Sequence, residues 1–318
     1  MIAAPKAHRC QFFLERTLGR RGNSGPWTLW KCSICNWVKL GESPSLKEAY
    51  PKEYYGSGSR KFICGVEWAS TLPPPRLKGC IKRIVKITRQ EESNPCILDI
   101  GCGRGYLLHQ LVQTGWRCAG LDIPQSPIPV NFSKIDFRLG SADEVLPWPA
   151  AVFDLVVLNH VLEHTVNPRF VVEEAFRVMR PGGYIYIGVP NFESWQALCF
   201  KDFWFPLEIP RHLHHFGVLA LRLLLEDCGF KIDHTSTRSL RQGIFGYIQS
   251  ILNVFDQKNP DLLFEFLKGR ANGSFFRMAL HIFLGCLTLP LAIFESFVSP
   301  LFNRGPAIII VAQKEVAS

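Results

Sequence analysis

Acidic side chains are scarce at the start of this chain. The first 90 residues hold 5 Asp and Glu against 17 Lys and Arg, whereas the remainder holds 22 acids against 19 bases, so the whole +9 excess precedes residue 91. Formal charge is missing altogether over the 17 residues from Met278 to Phe294, a run just short of the ~20 apolar residues that span a bilayer. No secretory signal is evident, so the odd set of 11 cysteines reads as reduced thiols of a cytosolic protein, which excludes a disulfide framework. A second C-x-x-C pair is also absent. Cys32 and Cys35 form one, but Cys10 is followed by Gln11, Phe12 and Phe13, which rules out a four-thiolate site. His8 with Cys10, Cys32 and Cys35 is the one tetrahedral set left, its first pair tightly spaced, and no metal is assigned. What the chain does have is bulk: 318 residues, 47% of them apolar, are ample for one large domain with additions.

The most informative stretch is Ile97-Leu98-Asp99-Ile100-Gly101-Cys102-Gly103-Arg104-Gly105, an apolar strand that ends on a carboxylate and runs into a glycine-rich turn. Helical spacing resumes at once with Leu107, Leu108, Leu111 and Val112, and Gly115 closes the element. A dinucleotide fingerprint would place its third glycine at position 106, where Tyr106 stands. Asp99 beside such a loop suits a cationic ligand better than a pyrophosphate. Taken alone, the turn leaves several cofactors open. Cys102 reads as a small residue that fits the loop rather than a nucleophile.

Further along, Arg117–Ile123 is a second strand ending in Asp122, 21 residues after Gly101, where an acid can hold both ribose hydroxyls. The order continues with Gly140-Ser141-Ala142-Asp143, then Phe153 through Asn159, His160 and Glu163 to His164, then Arg177 through Gly183 to Ile187. These motifs together resemble class I S-adenosylmethionine (SAM)-dependent methyltransferases, in particular the ubiquinone-type and related small-molecule group. The resemblance covers about residues 95–240 and a last apolar strand at Ala307–Ala312. It implies SAM as cofactor, held by Asp99, Gly101, Cys102, Gly103, Gly105, Asp122, Ile123, Ala142, Asp143, Asn159 and His160, with Ala142 and Asp143 at the adenine. The alternation of strands and helices predicts an α/β, doubly wound, Rossmann-like sheet. By analogy with the family it has seven strands, the last antiparallel.

Four segments follow: a basic extension at 1–72, the cofactor-binding core at 76–240, an apolar helical insertion at 241–305, and the final core strand and tail at 306–318. Trp30–Val38 resembles one knuckle of the zinc ribbon that often precedes this methyltransferase type. Residues 76–89 form a basic amphipathic helix, suited either to cover the sheet or to lie on an anionic membrane. A single crossing by residues 276–302 would strand the last strand on the wrong side. A helix pair broken near Pro290, dipping into the interface or closing over the site as a lid, is the expectation. It implies peripheral attachment at the inner face of a membrane.

For catalysis the candidates are His164, after the fourth core strand, and His212 and His214, in Pro210-Arg211-His212-Leu213-His214-His215-Phe216, which resembles a subfamily motif. Histidine suits a general base for a hydroxyl acceptor. The acceptor is read as a hydrophobic or lipid-linked small molecule, methylated on oxygen. The alternatives are a soluble saccharide or secondary metabolite and, from other classes, an RNA-binding module or an inactive scaffold. Nucleic acid is disfavoured: Asn159 is followed by His160-Val161-Leu162 rather than by an Asn-Pro-Pro-Tyr-type signature of base methylation. The oligomeric state is left open.

Overall fold

The computed structural model describes residues 10–18, 27–42, 75–90, 94–124, 133–268 and 275–315. His8, the boundary at residue 72 and part of the insertion lie outside them. Two sheets organise the chain. Strands β1 (Phe12–Leu18), β2 (Trp27–Cys32) and β3 (Val38–Leu40) open the first. Helix α1 (Pro75–Gln90) leads into β4 (Cys96–Ile100), α2 (Tyr106–Val112), β5 (Arg117–Asp122), β6 (Ile135–Leu139) and β7 (Phe153–Asn159). Next come α3 (Pro168–Val178), β8 (Met179–Pro190), α4 (Trp195–Phe200), β9 (His214–His215), α5 (Val218–Asp227) and β10 (Phe230–Ser236). The chain closes with α6 (Leu240–Phe255), α7 (Leu262–Leu267), α8 (Phe275–Val298) and β11 (Ala307–Lys314).

The seven-stranded sheet runs β10-β11-β8-β7-β4-β5-β6. Its strands are parallel except at β11, which is antiparallel to both β8 and β10. Because β4 is flanked by β5 and by β7, strand order reverses there, and a crevice opens beyond the carboxyl ends. Every residue of β4 is buried. Leu98 and Ile100 pack on one side with Val156, Val171 and Leu221, while Ile97 packs on the other with Leu77, Ile84 and Leu108, the two-sided burial of a parallel core strand. Helix α1 therefore covers the sheet with Leu77, Cys80 and Ile84 and leaves Lys78, Lys82 and Lys86 exposed.

The basic extension is built into the rest of the chain. The second sheet has the order β1-β2-β3-β9, with Val38 opposite His215 and Lys39 opposite His214. Trp37 lies 5.4 Å from the His214 ring and 5.2 Å from Phe216. The expected break at Pro290 is absent: α8 runs through Pro290 without interruption. Loss of one backbone donor is outweighed by the packing of α8 on α6, and the helix pair is α6 with α8 rather than two halves of α8.

Candidate active site

The carboxyl ends of β4, β5 and β7 bring Asp99, Asp122 and Asn159 to one edge, because Asp99 is level with Gly120 on one side and Val157 on the other. Between β4 and α2 the backbone turns through three left-handed residues, Gly101, Gly103 and Gly105. A side chain at Gly101 would be strained and would put its Cβ 2.4 Å from Val161. At Gly103 a Cβ would meet nothing within 4 Å, so this part of the loop faces open space. The loop is clamped to β5: Gly101 N–H donates to the Leu121 carbonyl (2.8 Å) and Gly103 N–H to Asp122 Oδ2 (2.5 Å). Asp122 Oδ1 accepts from Ile123 N–H at 2.8 Å.

Asp99 is buried beside Asp122, and burial first, then the charge of Asp122, pushes its carboxyl up to about 8. Asp122 and the adjoining Asp99 at an open glycine cradle form a site for a cation, whose charge would favour the ionised form of Asp99, and SAM, carrying an ammonium and a sulfonium, fits it. Cys102 is half-buried, its thiol held well above the usual range by burial and then by Asp99 and Asp122, in keeping with a packing role. Ala142 packs on the core. The Asp143 carboxylate accepts from the amides of Val166 (3.0 Å) and Asn167 (2.9 Å), so it ties the loop after β7 to the end of β6.

Of the three histidines expected to carry catalysis, His212 and His214 are buried and His164 is partly buried. His164 donates from Nδ1 to the Arg211 carbonyl (3.1 Å) and is drawn down to about 4 by burial and then by His212. A carbonyl can only accept, so Nδ1 carries the proton. His214 receives Trp37 Nε1–H at Nδ1 (3.2 Å) and faces the Val166 carbonyl with Nε2 (3.4 Å); burial holds it neutral, at about 4. His212 bonds the Pro206 carbonyl through Nδ1 (2.7 Å) and Glu208 through Nε2 (3.1 Å). The physical reason is that the Pro210–Phe216 segment packs into the interior and pairs with β3 rather than lining an open pocket. Donor atoms of Glu163, His164 and His212 lie within 4.8 Å of one another, but both nitrogens of His212 are already engaged.

Glu208 is also paired with Arg211. Burial raises its pKa, but the Arg211 and His212 charges outweigh this and hold the carboxyl well below 4.5. Burial opposes charge on His212, and Glu208 outweighs it, raising the ring above 6.5. Glu208 therefore contributes stability that is present above pH 4.5 and lost as pH falls through its lower folded value. The His212 contribution is full below pH 6.5 and lost as pH rises through its higher folded value. Stability from this cluster is expected to peak between those limits. Glu208→Gln, which leaves the buried His212 and the partly buried Arg211 without this anion, should cost about 3 kcal/mol in urea titrations and flatten that pH dependence. An unchanged pH profile would refute the assignment.

A further partly exposed imidazole is His160, which sequence reasoning assigned to the cofactor. It sits at φ 58° and donates its backbone N–H to the Gly188 carbonyl at 2.8 Å. Next to it, Val161 abuts Gly101 of the loop. Its ring is one-third exposed, and Nδ1 lies 3.0 Å from Oε1 of Glu163, whose side chain is 1% exposed. Burial raises the Glu163 pKa, but the hydrogen bond from His160 and its histidine neighbours outweigh it and hold the carboxyl below 4.5, so Glu163 is an anion. An anionic acceptor at Nδ1 fixes the Nδ1–H tautomer and leaves the Nε2 lone pair outward, where the Gln242 side-chain amide meets it. Glu163 and Gln242 were missed in the sequence. The spacing of His160 and Glu163 was a usable signal, whereas nothing local marks Gln242, 82 residues away.

In the N-terminal sheet, Cys10, Cys32 and Cys35 converge within 4.8 Å, with Cys10 and Cys35 sulfurs 3.7 Å apart. Burial opposes ionisation of Cys32, yet backbone N–H groups of Cys35, Ile34 and Gln11 outweigh it and draw the thiol to about 6.

Residues 75–235 match the family model described as methyltransferase domain. The chain is 33% identical over 142 residues to a probable S-adenosylmethionine-dependent methyltransferase of Mycolicibacterium smegmatis, covering 44% of this chain and 53% of that protein. It is 30% identical over 102 residues to a ubiquinone biosynthesis O-methyltransferase of Dechloromonas aromatica, covering 30% of this chain and 44% of the relative. The chain thus spans about half the length of the curated relatives it matches. Among solved structures, a SAM-dependent methyltransferase from Methanosarcina mazei aligns with a TM-score of 0.43 at 20% identity, over 70% of this chain and 94% of that one. With the match spanning half of the sequence, and the glycine cradle, the paired acids and the seven-stranded sheet agreeing with it, the chain belongs to the methyltransferase domain family, as a class I enzyme that takes S-adenosyl-L-methionine as its cofactor.

Proposed function

We propose that this enzyme methylates a hydroxyl oxygen of a hydrophobic or lipid-linked small molecule, such as a polyprenyl phenol or a lipid-bound sugar. The observation that carries this reading is the His160–Glu163 pair beside the cofactor loop, a base with a fixed tautomer of the kind a protonated acceptor needs. When bound, SAM supplies an electrophilic methyl group and leaves as a neutral thioether. The glycine cradle and Asp122 align the donor, and alignment accounts for much of the acceleration in such an in-line transfer. As the acceptor oxygen takes up the methyl group, its proton passes to His160 Nε2, which Gln242 vacates. The imidazolium so formed is stabilised by the Glu163 carboxylate at Nδ1. The relatives named as O-methyltransferases support the same atom as acceptor.

The test is incubation with methyl-labelled SAM and a fractionated cell extract, followed by mass spectrometry. Label is expected in the organic phase as an alkali-stable methyl ether. Label in water-soluble sugar, in RNA, or on nitrogen would overturn the reading.

A further inference from the structure

Among the described residues, Phe275–Phe302 is the one stretch of helix long and apolar enough to cross a membrane, and only 28% of its most apolar window is buried. It lies antiparallel on α6. Gly243 meets Ser296 at the base, Ile248 meets Gly285 midway, and Asp256 meets His281 and Arg277 at the tip. The chain thus leaves the sheet along α6 and returns along α8, so the pair can enter an apolar phase from one side while β11 rejoins its sheet. Small residues at the contact allow the close approach seen between helices in lipid.

The polarity of the hairpin is inverted. Polar side chains face inward: Gln249 donates to Asn253 (2.9 Å), Asn253 to the partly buried Asp261 (2.8 Å), and Gln196 to Glu295 (2.7 Å), the other four being buried. Apolar side chains face out, with Phe276 83%, Phe283 62%, Leu287 66% and Phe294 62% exposed. At 3.6 residues per turn, the exposed apolar positions from Leu289 around to Leu291 sweep about 200° of the helix. One protein partner covers a stripe of roughly half that width, whereas a fluid hydrocarbon phase covers all of it. Exposed Lys258 stands at the tip beside the Arg277–Asp256 pair, and the chain carries +9 overall through its first 90 residues, where Lys78, Lys82 and Lys86 are exposed, a charge that complements an anionic headgroup layer.

We infer that the α6–α8 hairpin is a monotopic anchor that buries its apolar arc in one leaflet of an anionic bilayer. This goes beyond the proposed function and is read without any methyl transfer. Its consequence for that function is access. Gln242, in the first turn of α6, lies against His160, so the root of the anchor adjoins the catalytic base.

Flotation of the full chain with phosphatidylcholine vesicles, with and without phosphatidylglycerol, tests the anchor. Recovery with the vesicles is expected, greater with the anionic lipid. The triple variant Phe276→Asp, Phe283→Asp, Leu287→Asp should reduce it at least tenfold while binding SAM with unchanged affinity in calorimetry, which shows that the fold is intact. Wild-type protein that stays in the soluble fraction with both vesicle types, or a variant that floats equally, would overturn the inference. So would a dimer in light scattering that the variant splits, since a second copy would then cover the face.

Discussion

Replacing His160 by alanine is expected to lower kcat for a phenolic acceptor by roughly 10²- to 10⁴-fold, the usual contribution of a positioned general base, while leaving the SAM dissociation constant within a few-fold. The separation follows from geometry. Nε2 of His160 meets Gln242, whereas the glycine loop is held by Leu121 and Asp122. Glu163 acts through His160, so Glu163→Gln should give a smaller loss and a distinct signature. Glutamine can still accept at Nδ1 but carries no charge, so the imidazolium formed in the transfer loses its stabilising anion. kcat should fall while the KM for the acceptor and the SAM dissociation constant stay near wild type. Equal losses in kcat and in SAM affinity would make Glu163 a packing residue. If His160→Ala instead weakens SAM binding as much as turnover, the imidazole belongs to the cofactor site and not to the acceptor.

Asp122→Ala should raise the SAM dissociation constant by about 10²-fold or more, read by calorimetry. In this structure its carboxylate already holds the Gly103 and Ile123 amides, and the family resemblance adds the ribose hydroxyls. Hydrogen bonds to a charged group contribute about 1.5–3 kcal/mol each, so losing one contact to the loop and one to the ligand reaches that range. The loop also loses its tether to β5, which adds a smaller fall in the stability of the ligand-free protein. Binding within threefold of wild type would show that Asp122 is only a loop fastener. Asp143, whose carboxylate accepts from the Val166 and Asn167 amides, is the comparison acid at the same edge.

The four-part division of the sequence meets the folded chain unevenly. The basic extension shares a sheet with β9, and Trp37 hydrogen-bonds His214 across 177 residues. That pairing explains why the histidine-rich Pro210–Phe216 segment, which has the composition of a catalytic loop, lies in the interior instead. The long insertion was legible as apolar from its uncharged run, but whether that surface faced a core or the outside could not be read from a run that is apolar on every side.

Sequence alone determined the cofactor loop and the sheet around it. Left-handed turns demand glycine at 101, 103 and 105, and strand and helix periods are set by contacts between near neighbours, so a few residues suffice to encode them. Tertiary structure decided which histidine is available. His160, His164, His212 and His214 are the same residue type, and they differ in what the fold places against them: Glu163 from three residues along and Gln242 from 82 residues away at His160, Arg211 from 47 residues away at His164, the nearby Glu208 and Pro206 at His212, and Trp37 from 177 residues away at His214. Burial and hydrogen-bond partners set an imidazole's charge and direction, and both are properties of the packed chain rather than of its order.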